Sequence, residues 1–132
     1  MNKKLDPTRP IYIQIMEEIK KRTVRGHYKS GEKLPSVREL ARITEVNPNT
    51  IARVYMELER DGFIFTKRGQ GSFITEDSTR VAEERKRLAD HAAEKFINEI
   101  GELKLNESHR KKILDSIAGE FSELDNNKKE KK

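Results

Sequence analysis

The sequence predicts a mainly α fold with one small β-hairpin, and three stretches predict it. Leu34-Pro35-Ser36-Val37-Arg38-Glu39-Leu40-Ala41 contains one helix start. Val46-Asn47-Pro48-Asn49-Thr50-Ile51-Ala52-Arg53 contains another only a few residues later. Arg68-Gly69-Gln70-Gly71-Ser72-Phe73 is a glycine-bounded basic turn between two short apolar runs. Two closely spaced helices followed by a hairpin outline a winged helix-turn-helix. In that fold a helix enters the DNA major groove and a β-loop lies beside it. The expected organisation is a winged helix-turn-helix over residues 1–75, a C-terminal two-helix dimerisation segment over 76–124, and a disordered charged tail over 125–132.

The first helix is expected from Pro10, since a missing N–H costs nothing at the first helical position. Ile11, Ile15 and Ile19 recur every four residues with Tyr12 and Met16 beside them, while Glu17, Glu18, Lys20, Lys21 and Arg22 form the polar face. Gly26 suits the stop.

Ser36 and Glu39 have the spacing of a capping box, so the second helix starts there and ends near Thr44. Its inward candidates are Val37, Leu40, Ala41 and Ile43. Asn47 caps a third helix with Pro48 at its first position. Ile51, Val54, Tyr55 and Leu58 give that helix an apolar face, and Gly62 suits the left-handed residue after its end.

Phe63-Ile64-Phe65 and Ser72-Phe73-Ile74-Thr75 read as two short strands, with Lys33-Leu34 as a candidate third. A long helix follows from about Ser78 to Ile100, with Val81, Leu88, Ala89, Ala92, Ala93, Phe96, Ile97 and Ile100 at helical spacing. Gly101 interrupts it. Asn106 or Ser108 then caps a last helix, whose stripe is Ile113, Leu114, Ile117, Ala118, Phe121 and Leu124. Asp125 to Lys132 contains no apolar residue, which predicts disorder.

Composition fits this outline. Of 132 residues, 33% are hydrophobic and 39% charged, so the core is small and the surface densely charged. The net charge of +5 is uneven. Residues 1–75 hold 15 Lys+Arg against 9 Asp+Glu, and residues 76–132 hold 13 against 14. A basic half beside a near-neutral half suits a polyanion-binding module joined to a protein-contact module.

The absence of cysteine excludes disulfides, thiol catalysis and cysteine-ligated zinc. His27, His91 and His109 are isolated, and no glycine-rich phosphate loop appears, so neither an enzyme nor a cofactor or metal site is expected. The N-terminus lacks the apolar core of a signal peptide, and Ile11 to Met16 is too short to span a bilayer. A cytoplasmic protein with no membrane partner is expected.

The candidate DNA contacts follow from side-chain chemistry. Asn47, Asn49 and Thr50 cluster at a helix N-terminus, where free N–H groups and the positive dipole end favour phosphate, and asparagine pairs bidentately with adenine. Arg53, one turn on, suits guanine or phosphate. Arg38 is a cation in the first turn of its helix, unfavourable for the dipole unless an external anion answers it. In the hairpin, Lys67 and Arg68 precede glycines that permit close backbone approach, and an arginine there suits a narrow minor groove.

The run from Pro10 to Thr75 resembles the winged helix-turn-helix of the GntR family of bacterial transcription regulators. The resemblance rests on the three stretches above and on Leu58-Glu59-Arg60-Asp61-Gly62-Phe63. It implies DNA contacts at Arg38, Asn47, Asn49, Thr50, Arg53, Arg68 and Gly69. Pro48 and Ala52 stand where other members can carry arginines. The short helical remainder resembles the YtrA-like subfamily. That resemblance implies repression of a neighbouring operon, often one encoding an ABC transporter.

The last two helices carry more apolar surface than one helical hairpin hides, which predicts a two-fold homodimer on a palindromic operator. Leu88, Ala92, Phe96, Ile100, Ile113, Ile117 and Phe121 are the candidate dimerisation residues. The partners expected are therefore double-stranded DNA and a second copy; whether a small-molecule effector exists is left open. The competing reading is a winged helix that binds protein or RNA without operator specificity.

Overall fold

The computed structural model describes residues 4–130. The elements are α1 (Ile11–Val24), α2 (Val37–Thr44), α3 (Pro48–Arg60), β1 (Ile64–Lys67), β2 (Gly71–Ile74), α4 (Ser78–Glu102) and α5 (Glu107–Glu130). They group into two compact units, one ending at Asp90 and one beginning at His91.

In the first unit the expected local signals do their work. Pro10 is the cap of α1 rather than its first residue, because its extended ψ of 128° keeps it outside the helix. At the other end Gly26 takes φ +84° and the His27 N–H donates to the Arg22 carbonyl, closing the last turn.

The Ser36 hydroxyl accepts from the Glu39 N–H at 3.1 Å, while the Glu39 carboxylate accepts from the Ser36 N–H at 3.3 Å. This reciprocal box starts α2. The α2–α3 connection turns on Glu45, which adopts the left-handed conformation at φ 57°. The Asn47 side chain then accepts from the Asn49 N–H at 2.8 Å and opens α3.

β1 and β2 pair antiparallel in the register Ile64↔Ile74 to Lys67↔Gly71, leaving Arg68, Gly69 and Gln70 as the loop. The candidate third strand joins β2 by one bridge, Lys33↔Phe73. The Leu34 N–H also donates to the Ser72 carbonyl at 2.9 Å.

α1, α2, α3 and the hairpin share one core. Ile15, Ile19, Ile51, Val54, Leu58, Phe63 and Ile74 are almost wholly removed from water. Each such side chain contributes about 1.5–3 kcal/mol of burial. Ile43 is the exception to the expected inward set: it is 45% exposed, on the side of α2 turned from the core. The Tyr55 hydroxyl donates to the Pro35 carbonyl at 2.5 Å, tying α3 to the entry of α2, and burial pushes its pKa well up.

The first unit reaches past residue 75 because the start of α4 is bound into it by charge. Lys20, assigned by periodicity to the solvated face of α1, is buried. Its ammonium lies 2.8 Å from Asp61 and 3.7 Å from Glu84. Arg80 pairs with the same two carboxylates. Arg87 closes the cluster on Glu84, a side chain only 2% exposed.

α4 runs through Gly101 and stops at Glu102, two residues beyond the expected end at Ile100. Lys104, at φ 51°, makes the turn, and the Asn106 side chain caps α5 by accepting from the His109 N–H. α5 continues to Glu130, where a disordered tail was expected from Asp125. Lack of apolar residues removes burial, but extending a helix already nucleated costs little. Residues 131–132 lie outside the described residues, as do Met1 to Lys3.

Candidate nucleic-acid interface

The expected DNA contacts lie on three elements of the first unit. Arg38 is the second residue of α2, Asn49, Thr50 and Arg53 lie on α3 after its cap Asn47, and Arg68 and Gly69 form the hairpin loop. Arg38, Asn47, Asn49, Arg53, Arg68 and Gly69 are exposed, and Thr50 is half-buried. Asn49, Thr50 and Arg53 form one wall of a shallow recess whose other wall is Pro10, Ile11 and Tyr12. Arg38 and the hairpin loop do not line that recess.

Charge pairing distinguishes these arginines from the cluster where α1, α3 and α4 meet. Arg38, Arg53 and Arg68 make no ion pair among the described residues, whereas Lys20, Arg80 and Arg87 are all committed to carboxylates. A phosphate approaching α2, α3 or the hairpin therefore meets arginines that break no internal bond to receive it.

Asn47 has one commitment: its side-chain oxygen accepts from the Asn49 N–H, and its amide N–H groups have no partner among the described residues. Arg53 has a different partner. Its guanidinium lies over the Tyr12 ring, 3.8 Å from the centroid. Periodicity had placed Tyr12 among the apolar residues of α1, and no sequence spacing connects it with Arg53. Only the packing of α1 on α3 reveals the pair.

The hairpin is stiffened behind its loop. Phe65 and Phe73 stack across the strands with centroids 5.5 Å apart and planes at 19°. The Lys67 ammonium stands 5.2 Å from the Phe73 ring and 5.8 Å from that of Phe65. Gly69 takes φ +77°, a conformation glycine adopts without strain.

His27, His91 and His109 are all exposed, and no group of three potential metal ligands occurs among the described residues. No helix among those residues is long and apolar enough to cross a membrane.

A capped helix-turn-helix with unpaired arginines and a basic hairpin defines a winged-helix DNA-binding regulator. The family model for bacterial regulatory proteins of the gntR family matches residues 11–74. The HTH-type transcriptional regulator YhcF of Bacillus subtilis is 45% identical over 117 residues, covering 89% of this chain and 94% of that one. The chain belongs to the GntR family of transcription regulators, DNA-binding proteins and not enzymes. The HTH-type transcriptional repressor YtrA of Bacillus subtilis is 50% identical over 76 residues, 56% of this chain and 58% of that one. Among solved structures, a GntR family transcriptional regulator from Listeria monocytogenes superposes with a TM-score of 0.76 at 42% identity, covering 87% of this chain and 98% of that one.

Proposed function

We propose that this regulator is a cytoplasmic repressor that binds a palindromic operator as a homodimer. Arg38, Asn47, Asn49, Thr50 and Arg53 contact the duplex in the major groove, and Arg68 and Gly69 contact it through the wing. The observation that carries this reading is the set of arginines on α2, α3 and the wing that have no internal ion pair among the described residues. Support for repression is the name of the relative YtrA, a transcriptional repressor. Resemblance to YtrA-like regulators supports an operon neighbouring its own gene, one encoding an ABC transporter, as the target.

Support for the homodimer is the apolar surface of the second unit. Phe96 is 42%, Ile97 65%, Leu114 65%, Phe121 66% and Leu124 60% exposed in the single chain. A second copy covers such a surface most simply by two-fold symmetry. Leu88, Ala92, Phe96, Ile100, Ile113, Ile117 and Phe121 are the residues assigned to that contact.

The test combines sedimentation with operator binding. Duplexes selected by the pure protein from its own genome should share an inverted repeat. Affinity for them should fall steeply with salt. Arg38→Ala should cost on the order of 1–3 kcal/mol if that residue reads a base. Phe96→Asp with Phe121→Asp should give monomers that lose far more affinity than one contact supplies. A wild-type protein that sediments as a monomer at micromolar concentration, or selected duplexes without a repeat, would refute the dimeric reading.

A further inference from the structure

The contact between Tyr12 and Arg53 has a use that neither residue's own position suggests. A guanidinium stacked on a ring has one face covered, while its N–H donors all lie in its plane and stay open at the edge. Guanine is read by that planar edge, through O6 and N7 together. A free surface arginine samples many rotamers and must be ordered when it binds. At 3.8 Å from the ring centroid, the Arg53 guanidinium already rests on the ring, which narrows the rotamers it samples.

The surroundings fit a reading arm rather than a brace. Arg53 forms no hydrogen bond or ion pair among the described residues, so the ring alone orients it. Asn49 and Thr50 stand on the same wall of the recess, and Tyr12 is on the facing wall, in the first turn of α1. The ring is half-buried and packed against the core, which makes it a firm platform.

We propose that Tyr12 is a specificity-determining positioning residue of the operator interface: its ring sets the plane in which Arg53 meets a base pair. This rests on the assignment of Arg53 to the duplex. Tyr12 acts through Arg53 and needs no contact with DNA itself.

A set of variants on the full chain tests this, with an operator selected from a random duplex pool as the probe. Arg53→Ala should weaken operator binding roughly ten- to a hundredfold. Tyr12→Leu keeps apolar bulk but removes the flat face. It should lower the preference for the operator over the same duplex changed at the Arg53 base pair, with melting temperature and salt slope near wild type. Tyr12→Phe keeps the face and should restore the preference. Arg53→Lys, an exposed change that leaves the fold alone, should lose the preference as Tyr12→Leu does. Tyr12→Leu added to Arg53→Ala should cost nothing more.

If Arg53→Ala binds like wild type, the assignment of Arg53 to DNA fails and the inference fails with it. If Arg53→Ala weakens binding while Tyr12→Leu or Arg53→Lys keeps full base-pair preference, only the role of Tyr12 is overturned. Additive losses in the double variant overturn it too, because Tyr12 would then act independently of Arg53.

Discussion

Arg80, in the first turn of α4, donates to both the backbone carbonyl and the carboxylate of Asp61, the residue that ends α3. The last carbonyls of a helix lack intrahelical partners, so a guanidinium there satisfies one of them and complements the negative dipole end. Lys20 comes to the same carboxylate from α1, and Phe63 lies beneath both cations, at 5.9 Å from Lys20 and 5.3 Å from Arg80. Three elements thus meet at one cluster of charge, with the buried Glu84 as its second anion.

Removing Glu84 should expose the cost of this arrangement. Glu84→Ala leaves Lys20 beside Asp61 alone and takes from Arg87 the carboxylate it pairs with. A buried pair broken from one side costs about 3–5 kcal/mol, less here because Arg87 is half in water. Urea denaturation is expected to show a loss on the order of 2–4 kcal/mol. A loss below about 0.5 kcal/mol, the range of ordinary surface changes, would mean the cluster contributes nothing net.

The same cluster gives an acid response of defined sign. Burial raises the Asp61 and Glu84 carboxyls, but Lys20 and Arg80 at Asp61, and Arg87, Lys20 and Arg80 at Glu84, more than reverse it, so both lie below their ordinary values. The unfolded chain then takes up protons first as pH falls. Their contribution is complete above the ordinary carboxylate range, and declines from about pH 5 downward until both are protonated in the folded state. Melting temperature against pH should be steeper in acid for wild type than for Glu84→Gln. Parallel curves would assign the acid response to other groups.

The wing should respond to substitution without unfolding. Arg68→Ala removes an exposed cation from a loop and should weaken operator binding while leaving the melting temperature unchanged. Gly69→Val should bind worse and also melt lower. A Cβ at Gly69 meets no atom within 4 Å, so that penalty is strain at φ +77° and not a clash. Normal operator binding by Arg68→Ala in a gel shift would leave the wing a structural role only.

The helix-turn-helix was legible in the sequence because its signals are local. Ser36 with Glu39, Asn47 with Pro48, and Gly62 each fix a helix end within a few residues of themselves. Lys20, Tyr12 and Glu84 were opaque for the opposite reason. Periodicity assigns a side chain to a face, and the partners that decide these three lie on other elements. Tyr12 counted as core by its hydrophobicity, and Lys20 as solvated by its charge; the fold places an arginine on one and two carboxylates by the other. The full length of α5 was hidden too, since a polar composition reports on burial and not on whether the backbone stays helical.

Glu45 combines two costs in one residue. Its left-handed backbone at φ 57° is strained for any side chain but glycine, and its carboxylate stands two residues before the cap of α3, where phosphates are expected. Glycine there should add up to about 1 kcal/mol of stability, part of the relief being returned as unfolded-state entropy. It should also tighten binding to any duplex, specific or not. Both glutamate codons become glycine codons by a single transition at the middle base. A laboratory population selected for tighter DNA binding would therefore meet this change early, and would gain grip at the expense of discrimination between specific and bulk DNA.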